Sequence, residues 1–382
     1  MSQLEEKIYQ LLRWLQNYTK TDMVYVAKGS FWFILGRIFA FLASFFILLA
    51  FAWFATKEVF GAYQYIISIA SMISLILLPG LDTALVRSVA KGKEKTFFLC
   101  EKEKLKFGFF ALLIFFAISI WYFFRNNLEL AISFFFAGIF LPLLAIFSLY
   151  LSFWYGKKRF DLQNKYFVFH NFLGALILIL FIIFKPEIPS VIFGYFFGYT
   201  FSTFLFWFLT RKRINKNTQE EKEAISYGKH LTIMYIPGTI SGHLDKVILW
   251  QFLGTVQVAI YSYALRVVER LTELLPFSTL AFPKMAEKNL KEENIKKSIF
   301  DKFLKLFLIS IPLAIFYILF SPFLFKIFFP AYQESISYSQ VLALILIFSP
   351  FNFLATTFLA EAKKRELYIL NFAPQILKIA LF

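Results

Sequence analysis

Long apolar runs alternate with short polar connections along almost the whole chain. A helix of about 20 apolar residues spans the hydrocarbon core of a bilayer, so this pattern predicts an all-α polytopic membrane protein. The predicted spans are residues 24–53, 59–86, 107–124, 128–153, 165–184, 189–210, 228–253, 257–282, 303–328, 336–360 and 366–382. The last of these eleven spans reaches the final residue without a polar tail, and we therefore expect it to be truncated.

Residues 1–20 follow a different pattern, in which apolar residues recur at helical spacing between charged ones. Leu4, Ile8, Leu11 and Leu15 fall on one helical face. This pattern predicts an amphipathic N-terminal helix that lies on the membrane surface. A short helix packed on the cytoplasmic ends of the bundle is the alternative interpretation.

The connections between spans alternate in charge. Most of the 40 Lys and Arg residues lie in every second connection, with the richest at 87–106, 211–229 and 284–305. The intervening connections hold one basic residue each, namely Lys57, Arg125, Lys185 and Lys326. Since basic connections stay in the cytoplasm, the N-terminus is predicted to be cytoplasmic.

Composition narrows the class of protein further. The chain is 59% hydrophobic and 21% aromatic, whereas a soluble domain is about 45–50% apolar. A net charge of +16 would indicate nucleic-acid binding in a soluble protein, but here the cytoplasmic connections account for it, so no nucleic-acid partner is expected. Cys100 is the single cysteine, which excludes a disulfide within the chain. Motifs for ATP hydrolysis, serine hydrolysis or zinc proteolysis are absent from the sequence, so we expect neither an enzyme nor a metal site.

A weak internal repeat relates the two halves of the chain. FGAYQYIISIASMISLILLP at 60–79 resembles VAIYSYALRVVERLTELLP at 258–276. The aligned tyrosines are Tyr63 with Tyr261 and Tyr65 with Tyr263. Each copy begins the second helix of a six-helix block, and because six is even the two blocks share one orientation. Parallel repeats of this kind are related by a pseudo-two-fold axis along the membrane normal.

The repeat predicts how the chain divides into domains. We expect an N-lobe of spans one to six at residues 21–210, and a cytoplasmic linker at 211–227. An incomplete C-lobe of spans seven to eleven follows at 228–382.

Ionisable residues inside the spans mark the candidate site. Each costs about 2.5–3.5 kcal/mol in hydrocarbon on insertion scales, so such residues usually face a protein interior or a wet cavity. The cationic candidates are Arg37 on the first span, Lys246 on the seventh, and Arg266 and Arg270 on the eighth. The candidates for ion coupling are His243, Asp245, Glu269 and Glu273.

Structural roles are the alternative for several of these residues. Arg266–Glu269 and Arg270–Glu273 could be intrahelical pairs that neutralise buried charge, since they are three residues apart. Arg37 and Lys246 could pair with Asp245 or with Asp82. His243 is as well explained by packing against a neighbouring helix as by proton transfer.

Three short motifs carry a family resemblance. They are F-G-x-Y at 60–63, P-G-L-D-x-A-L-x-R at 79–87, and H-L-D-K-x-I-L-x-x-F-L-G followed by A-I-Y-S-x-A at 243–264. They resemble those of Wzx-type polysaccharide flippases, which belong to the multidrug/oligosaccharidyl-lipid/polysaccharide (MOP) exporter superfamily. The resemblance extends over nearly the whole chain from about residue 25 onward.

The resemblance implies two six-helix lobes around a cavity lined by helices one, two, seven and eight, within a total of about 12 to 14 helices. It implies export of a polyprenyl-pyrophosphate-linked oligosaccharide to the outer leaflet by alternating access, as in O-antigen biosynthesis. The implied location is a bacterial or archaeal inner membrane, which the protein crosses several times. The implied partners are this cargo, the bilayer and membrane proteins of polysaccharide assembly, with no cofactor beyond a coupling H⁺ or Na⁺. Arg and Lys in the cavity would suit a pyrophosphate.

Other functions remain open at this point. A multidrug antiporter of the same superfamily would need an anionic cavity for cationic drugs, whereas the candidates here are net cationic. A lipid II flippase would use the same chemistry on a different glycan, and the sequence does not separate the two. An oligosaccharide polymerase or acyltransferase would need a large outer loop or a His-centred site, and neither is evident in the sequence.

Overall fold

A computed structural model describes residues 23–273, 293–351 and 364–381, which are helical apart from short connections. The helices are α1 (Met23–Phe54), α2 (Lys57–Ile73), α3 (Gly80–Ala90), α4 (Thr96–Phe124), α5 (Leu128–Phe147), α6 (Leu149–Gly156), α7 (Phe160–Phe184), α8 (Ile188–Arg211), α9 (Glu223–Leu253), α10 (Thr255–Glu273), α11 (Glu293–Phe328), α12 (Ser335–Leu342), α13 (Leu344–Phe348) and α14 (Lys364–Leu381). The predicted amphipathic segment 1–20 lies outside the described residues.

Seven stretches of the described chain are helical, long and apolar enough to cross a membrane. They are Gly36–Phe54, Lys57–Leu77, Thr96–Phe124, Leu128–Gly156, Phe160–Phe184, Ile188–Arg211 and Phe303–Phe328. These match predicted spans one to six and nine. Predicted span seven, and span eight as far as Glu273, are also helices, α9 and α10, but their polar and ionisable residues lower their mean hydropathy. The prediction of a multi-pass, all-α membrane protein is confirmed.

The predicted second span is broken rather than continuous. After α2, a short 3₁₀ turn ends at Leu77, and Leu78 then adopts a left-handed conformation with φ 54°. Pro79 explains the break, because it disfavours the α conformation in the residue before it. The new helix α3 begins at Gly80, whose N–H donates to Thr232 Oγ1 at 3.0 Å.

Helix α4 begins well before the predicted start at residue 107. Lys104 therefore lies on a helix, although the sequence places it in a basic connection. Its side chain is 2% exposed, and Nζ donates to both carboxylate oxygens of Asp82 at 3.0 and 2.9 Å and to the Ala145 carbonyl at 3.2 Å. Asp82, one of two partners considered for Lys246, is thus engaged by Lys104 instead.

The helices form two compact units. The first contains α1 up to Ile47, Ile76–Phe181 and Pro189–Ile233, and the second contains Leu48–Leu75, Ile182–Ile188 and the chain from Met234 onward. The predicted lobe boundaries at 210 and 228, the pseudo-two-fold axis and the cytoplasmic N-terminus stay predictions.

The core of the second unit is built where α2 crosses α10. A Cβ added to Gly61 would lie 2.0 Å from the Thr255 carbonyl, so only glycine permits this approach. Tyr263 is fully buried, and the centroid of its ring lies 3.6 Å from the centroid of the Tyr332 ring. The Tyr263 hydroxyl donates to the Leu48 carbonyl at 2.7 Å. These contacts fix the rotation of α10 and therefore the direction of its polar face.

In the first unit, acidic residues attach the predicted linker to the connection between α3 and α4. Glu221 accepts from Ser88 Oγ and Lys91 Nζ, both at 2.8 Å. Glu94 accepts from Lys157 Nζ at 2.5 Å and from the Asn215 N–H at 3.0 Å. The hydrogen bonds from Lys91 and Ser88 lower the pKa of Glu221 to about 2.

Candidate functional site

A buried ion pair forms the centre of the candidate site in the second unit. Asp245 and Lys246 on α9 are each 3% exposed. Asp245 Oδ1 accepts from the Lys246 N–H at 2.8 Å and from Lys246 Nζ at 3.3 Å, while Oδ2 accepts from the Tyr261 hydroxyl at 2.7 Å. Both carboxylate oxygens therefore have donors, as a buried charge requires.

The neighbouring face of α10 carries a second, more open ion pair. Arg266 Nη1 lies 3.3 Å from Glu269 Oε2, and the two side chains are 30% and 41% exposed. The intrahelical pair considered from the sequence is thus formed. Because both groups are partly exposed, this pair contributes little to stability and can exchange partners readily. For Arg270–Glu273, the Glu273 side chain lies outside the described part of the chain.

The two pairs and His243 form one electrostatic group. The charges of Arg266 and Glu269 act on Lys246, although they belong to a different helix. His243 is influenced by Lys246 and Arg266, and its Nδ1 is buried with no hydrogen-bond partner among the described residues. The structure therefore brings together residues predicted separately on spans seven and eight.

Helix α14 also reaches this group. Ser241 Oγ on α9 donates a hydrogen bond to Gln375 Oε1, and the charge of Lys378 acts on His243. Sequence reasoning selected neither residue as a site candidate. The available signal was the spacing of Gln375 and Lys378, three residues apart in an otherwise apolar run. For Tyr261, the signal in the sequence is its place in the internal repeat.

Arg37 is the cationic candidate that belongs to the other unit. It lies on α1 before Ile47 and is exposed. Its contribution to the site stays a prediction.

The described side chains of this group carry more positive than negative charge. Lys246, Arg266 and Lys378 accompany the carboxylates of Asp245 and Glu269. Such a group can bind an anion through charge-assisted hydrogen bonds. Across the described residues, no three His, Cys, Asp or Glu side chains are placed to hold a metal ion.

The sequence profile of the family described as "Polysaccharide biosynthesis protein" matches residues 26–288. The chain belongs to this family. The matched region includes α9 and α10 and hence most of the candidate site. A search of curated protein sequences gave no match.

Solved structures with a similar fold are transporters of the MOP superfamily. An outward-facing multidrug resistance MATE family transporter has a TM-score of 0.65 at 15% identity, covering 90% of this chain and 84% of that one. A MATE transporter in complex with MaD3S has a TM-score of 0.62 at 14% identity, covering 91% and 84%. A MOP superfamily transporter from Pyrococcus furiosus, described with a binding pocket of reverse polarity, has a TM-score of 0.60 at 14% identity, covering 88% and 83%.

The family match and the fold together confirm the predicted resemblance to the MOP exporter superfamily. At 14–15% identity the structural matches establish the fold alone.

Proposed function

We propose that this polysaccharide biosynthesis protein is a flippase for a lipid-linked oligosaccharide. It moves a polyprenyl-pyrophosphate-linked glycan from the cytoplasmic to the outer leaflet by alternating access, for cell-surface polysaccharides such as O-antigen. The observation that supports this most is the buried Lys246–Asp245 pair beside Arg266, in a group with excess positive charge. A pyrophosphate cannot cross hydrocarbon unpaired, and cations on facing helices would replace its hydration.

The ion pairs suggest how the site changes when the cargo binds. Without cargo, Asp245 and Glu269 neutralise Lys246 and Arg266. The pyrophosphate then competes with these carboxylates for the cations, together with Arg270 and, by prediction, Arg37. A carboxylate released in this way would favour H⁺ or Na⁺, which gives Asp245, Glu269, Glu273 and His243 their proposed coupling role.

Translocation of a fluorescent polyprenyl-pyrophosphate oligosaccharide in proteoliposomes tests this function. The unmodified protein should flip the lipid rapidly. Arg266→Ala/Arg270→Ala should slow flipping by at least about tenfold, since each charge-assisted hydrogen bond contributes about 1.5–3 kcal/mol. Arg125→Ala/Lys326→Ala removes the same charge from two exposed positions and should leave the rate unchanged. An unmodified protein that flips no lipid-linked glycan would refute the proposal.

The fold of multidrug MATE transporters supports a second candidate, a cation antiporter. In that case the carboxylates, with Asp245 at their centre, would bind the cargo instead of the cations. Export of an organic cation that is lost in Asp245→Asn and kept in Arg266→Ala/Arg270→Ala would favour it. A lipid II flippase shares the pyrophosphate chemistry, and competition between lipid II and other lipid-linked glycans would separate the two.

A further inference from the structure

A third helix, α14, is held against the cationic group by a specific hydrogen bond. Ser241 on α9 donates to Gln375 on α14. Gln375 and Lys378 are three residues apart and so share one face of α14, while Ser241 and Asp245 are four apart and share one face of α9. The contact at Gln375 therefore holds the face of α14 that carries Lys378 against α9.

The charge of Lys378 reaches that part of α9. Lys246, Arg266 and Lys378, from three different helices, all act electrostatically on His243, with Lys378 the weakest of the three, and Asp245 opposes them. Like charges that lie close together repel one another, which costs stability. A bound polyanion would relieve this repulsion, so the arrangement fits an anion with several charged oxygens.

We propose that Lys378 is a further ligand of the cargo head group, and that Gln375 is its positioning residue through the hydrogen bond with Ser241. The proposal rests on the proposed flippase function and extends the site to a third helix. Cations on three helices can contact two linked phosphoryl groups at once, whereas a single phosphoryl group needs fewer of them. Lys378 should therefore make the site prefer a prenyl pyrophosphate over a prenyl monophosphate.

Equilibrium binding of farnesyl pyrophosphate and farnesyl monophosphate to the full chain in lipid nanodiscs tests the proposal. Lys378→Met keeps the length of the side chain and removes its charge. It should weaken pyrophosphate binding about tenfold and monophosphate binding by less than about threefold, as expected for loss of one charge-assisted hydrogen bond. Lys378→Arg should retain the affinity and the preference. Lys326→Met, at an exposed position on α11, is the matched control and should bind as the unmodified protein does.

The positioning role of Gln375 has its own readout. Gln375→Ala and Ser241→Ala should each weaken pyrophosphate binding about threefold while Lys378 is present. In the Lys378→Met background both substitutions should have no further effect, because residues that act through one contact are not additive. Full additivity would refute the positioning role.

The outcomes separate this inference from the proposed function. If the unmodified protein binds neither lipid, the flippase proposal fails and the inference fails with it. If the unmodified protein prefers the pyrophosphate and Lys378→Met keeps that preference, the inference alone is wrong. Equal losses for both lipids would show that Lys378 acts only on the structure. Inorganic pyrophosphate should compete with farnesyl pyrophosphate for binding. If it does not compete, the protein recognises the prenyl chain, and the proposed anion site is wrong.

Discussion

At the scale of single residues, Asp245 and Lys246 form a buried ion pair, to which the proposed function assigns a second role in cargo binding. A buried carboxylate is tolerated here because Lys246 and Tyr261 supply donors to both of its oxygens. Removing one member leaves the other charge buried and uncompensated, whereas removing both charges leaves two neutral side chains of similar volume. Stability and function therefore respond differently to single and double substitutions.

We expect Lys246→Met alone to destabilise the protein by about 3–5 kcal/mol, since Asp245 loses its counter-charge. The double variant Asp245→Asn/Lys246→Met should regain most of that loss, and still fail to transport a pyrophosphate-linked lipid. Unfolding by denaturant in detergent micelles, followed by far-UV circular dichroism, measures the first effect, and the flipping assay the second. A double variant that transports normally would show that the pair serves the structure alone.

At the scale of helices, the space around a glycine shows whether that face of the helix touches a neighbouring helix. A Cβ on Gly80 would lie 2.2 Å from the Gly228 carbonyl oxygen and 2.6 Å from the Thr232 nitrogen, whereas a Cβ on Gly238 or Gly242 would meet nothing within 4 Å. The Gly-x-x-x-Gly spacing of Gly238 and Gly242 is typical of close helix packing, yet in the described structure these glycines border open space. Spacing shows which residues share a face but not whether a neighbour covers it.

Gly80→Ala and Gly238→Ala therefore form a matched pair. Gly80→Ala should cost about 1–3 kcal/mol, because the first turn of α3 would have to move away from the backbone of α9. Gly238→Ala should be neutral or stabilising by up to about 1 kcal/mol, as alanine favours the helix over glycine. Chemical unfolding of both variants measures the difference. Equal effects of the two substitutions would contradict the contact between α3 and α9.

The linker at 211–227 offers a pH-dependent test at the same scale. The pKa of Glu221 is lowered to about 2 by hydrogen bonds from Lys91 and Ser88, against about 4.3 in an unfolded chain. Its contribution is therefore fully present above about pH 4.3 and is lost as the pH falls toward 2. Amide hydrogen exchange of the linker, corrected for intrinsic rates, should accelerate over this interval.

Glu221→Gln is the control for the linker. It should exchange faster than the unmodified protein at neutral pH, because a neutral amide binds Lys91 less strongly than a carboxylate does. It should also show a smaller pH dependence. An unchanged exchange profile in this variant would mean that other contacts hold the linker.

At the scale of the whole molecule, the sequence predicts what depends on local pattern. Most of the long helices from α1 to α11 follow from apolar periodicity, whereas the division of the second span into α2 and α3 does not, and the cationic candidates follow from charges inside those runs. The sequence gives no means to predict the pairing of Lys104 with Asp82, because Lys104 lies among connection residues until α4 is known to begin at Thr96. Nor does it predict that Gln375 meets Ser241, since contacts between residues distant in sequence depend on packing.

Alternating access, as proposed, requires the outer ends of the helices to separate when the cargo is released. Two contacts in the second unit can test this requirement. Lys57 Nζ lies 2.9 Å from Glu334 Oε1, and Trp53 Nε1 donates to the Phe328 carbonyl at 3.1 Å. By the resemblance, Trp53 and Lys57 belong to one lobe, and Phe328 and Glu334 belong to the other. All four residues lie at the predicted outer ends of their spans. If the cargo leaves toward the outer leaflet, these contacts must open once in every cycle.

A reversible crosslink between positions 57 and 334 should therefore stop flipping. Lys57→Cys/Glu334→Cys in a Cys100→Ala background carries no other thiol, since Cys100 is the single cysteine of the chain. A short bifunctional thiosulfonate reagent should abolish translocation of the polyprenyl-pyrophosphate oligosaccharide, and a reducing agent should restore it. The same reagent on either single-cysteine variant should leave the rate unchanged, which excludes an effect of modification itself. Continued flipping by the crosslinked double variant would mean that release does not require these ends to separate, and the path of the cargo would then lie elsewhere in the molecule.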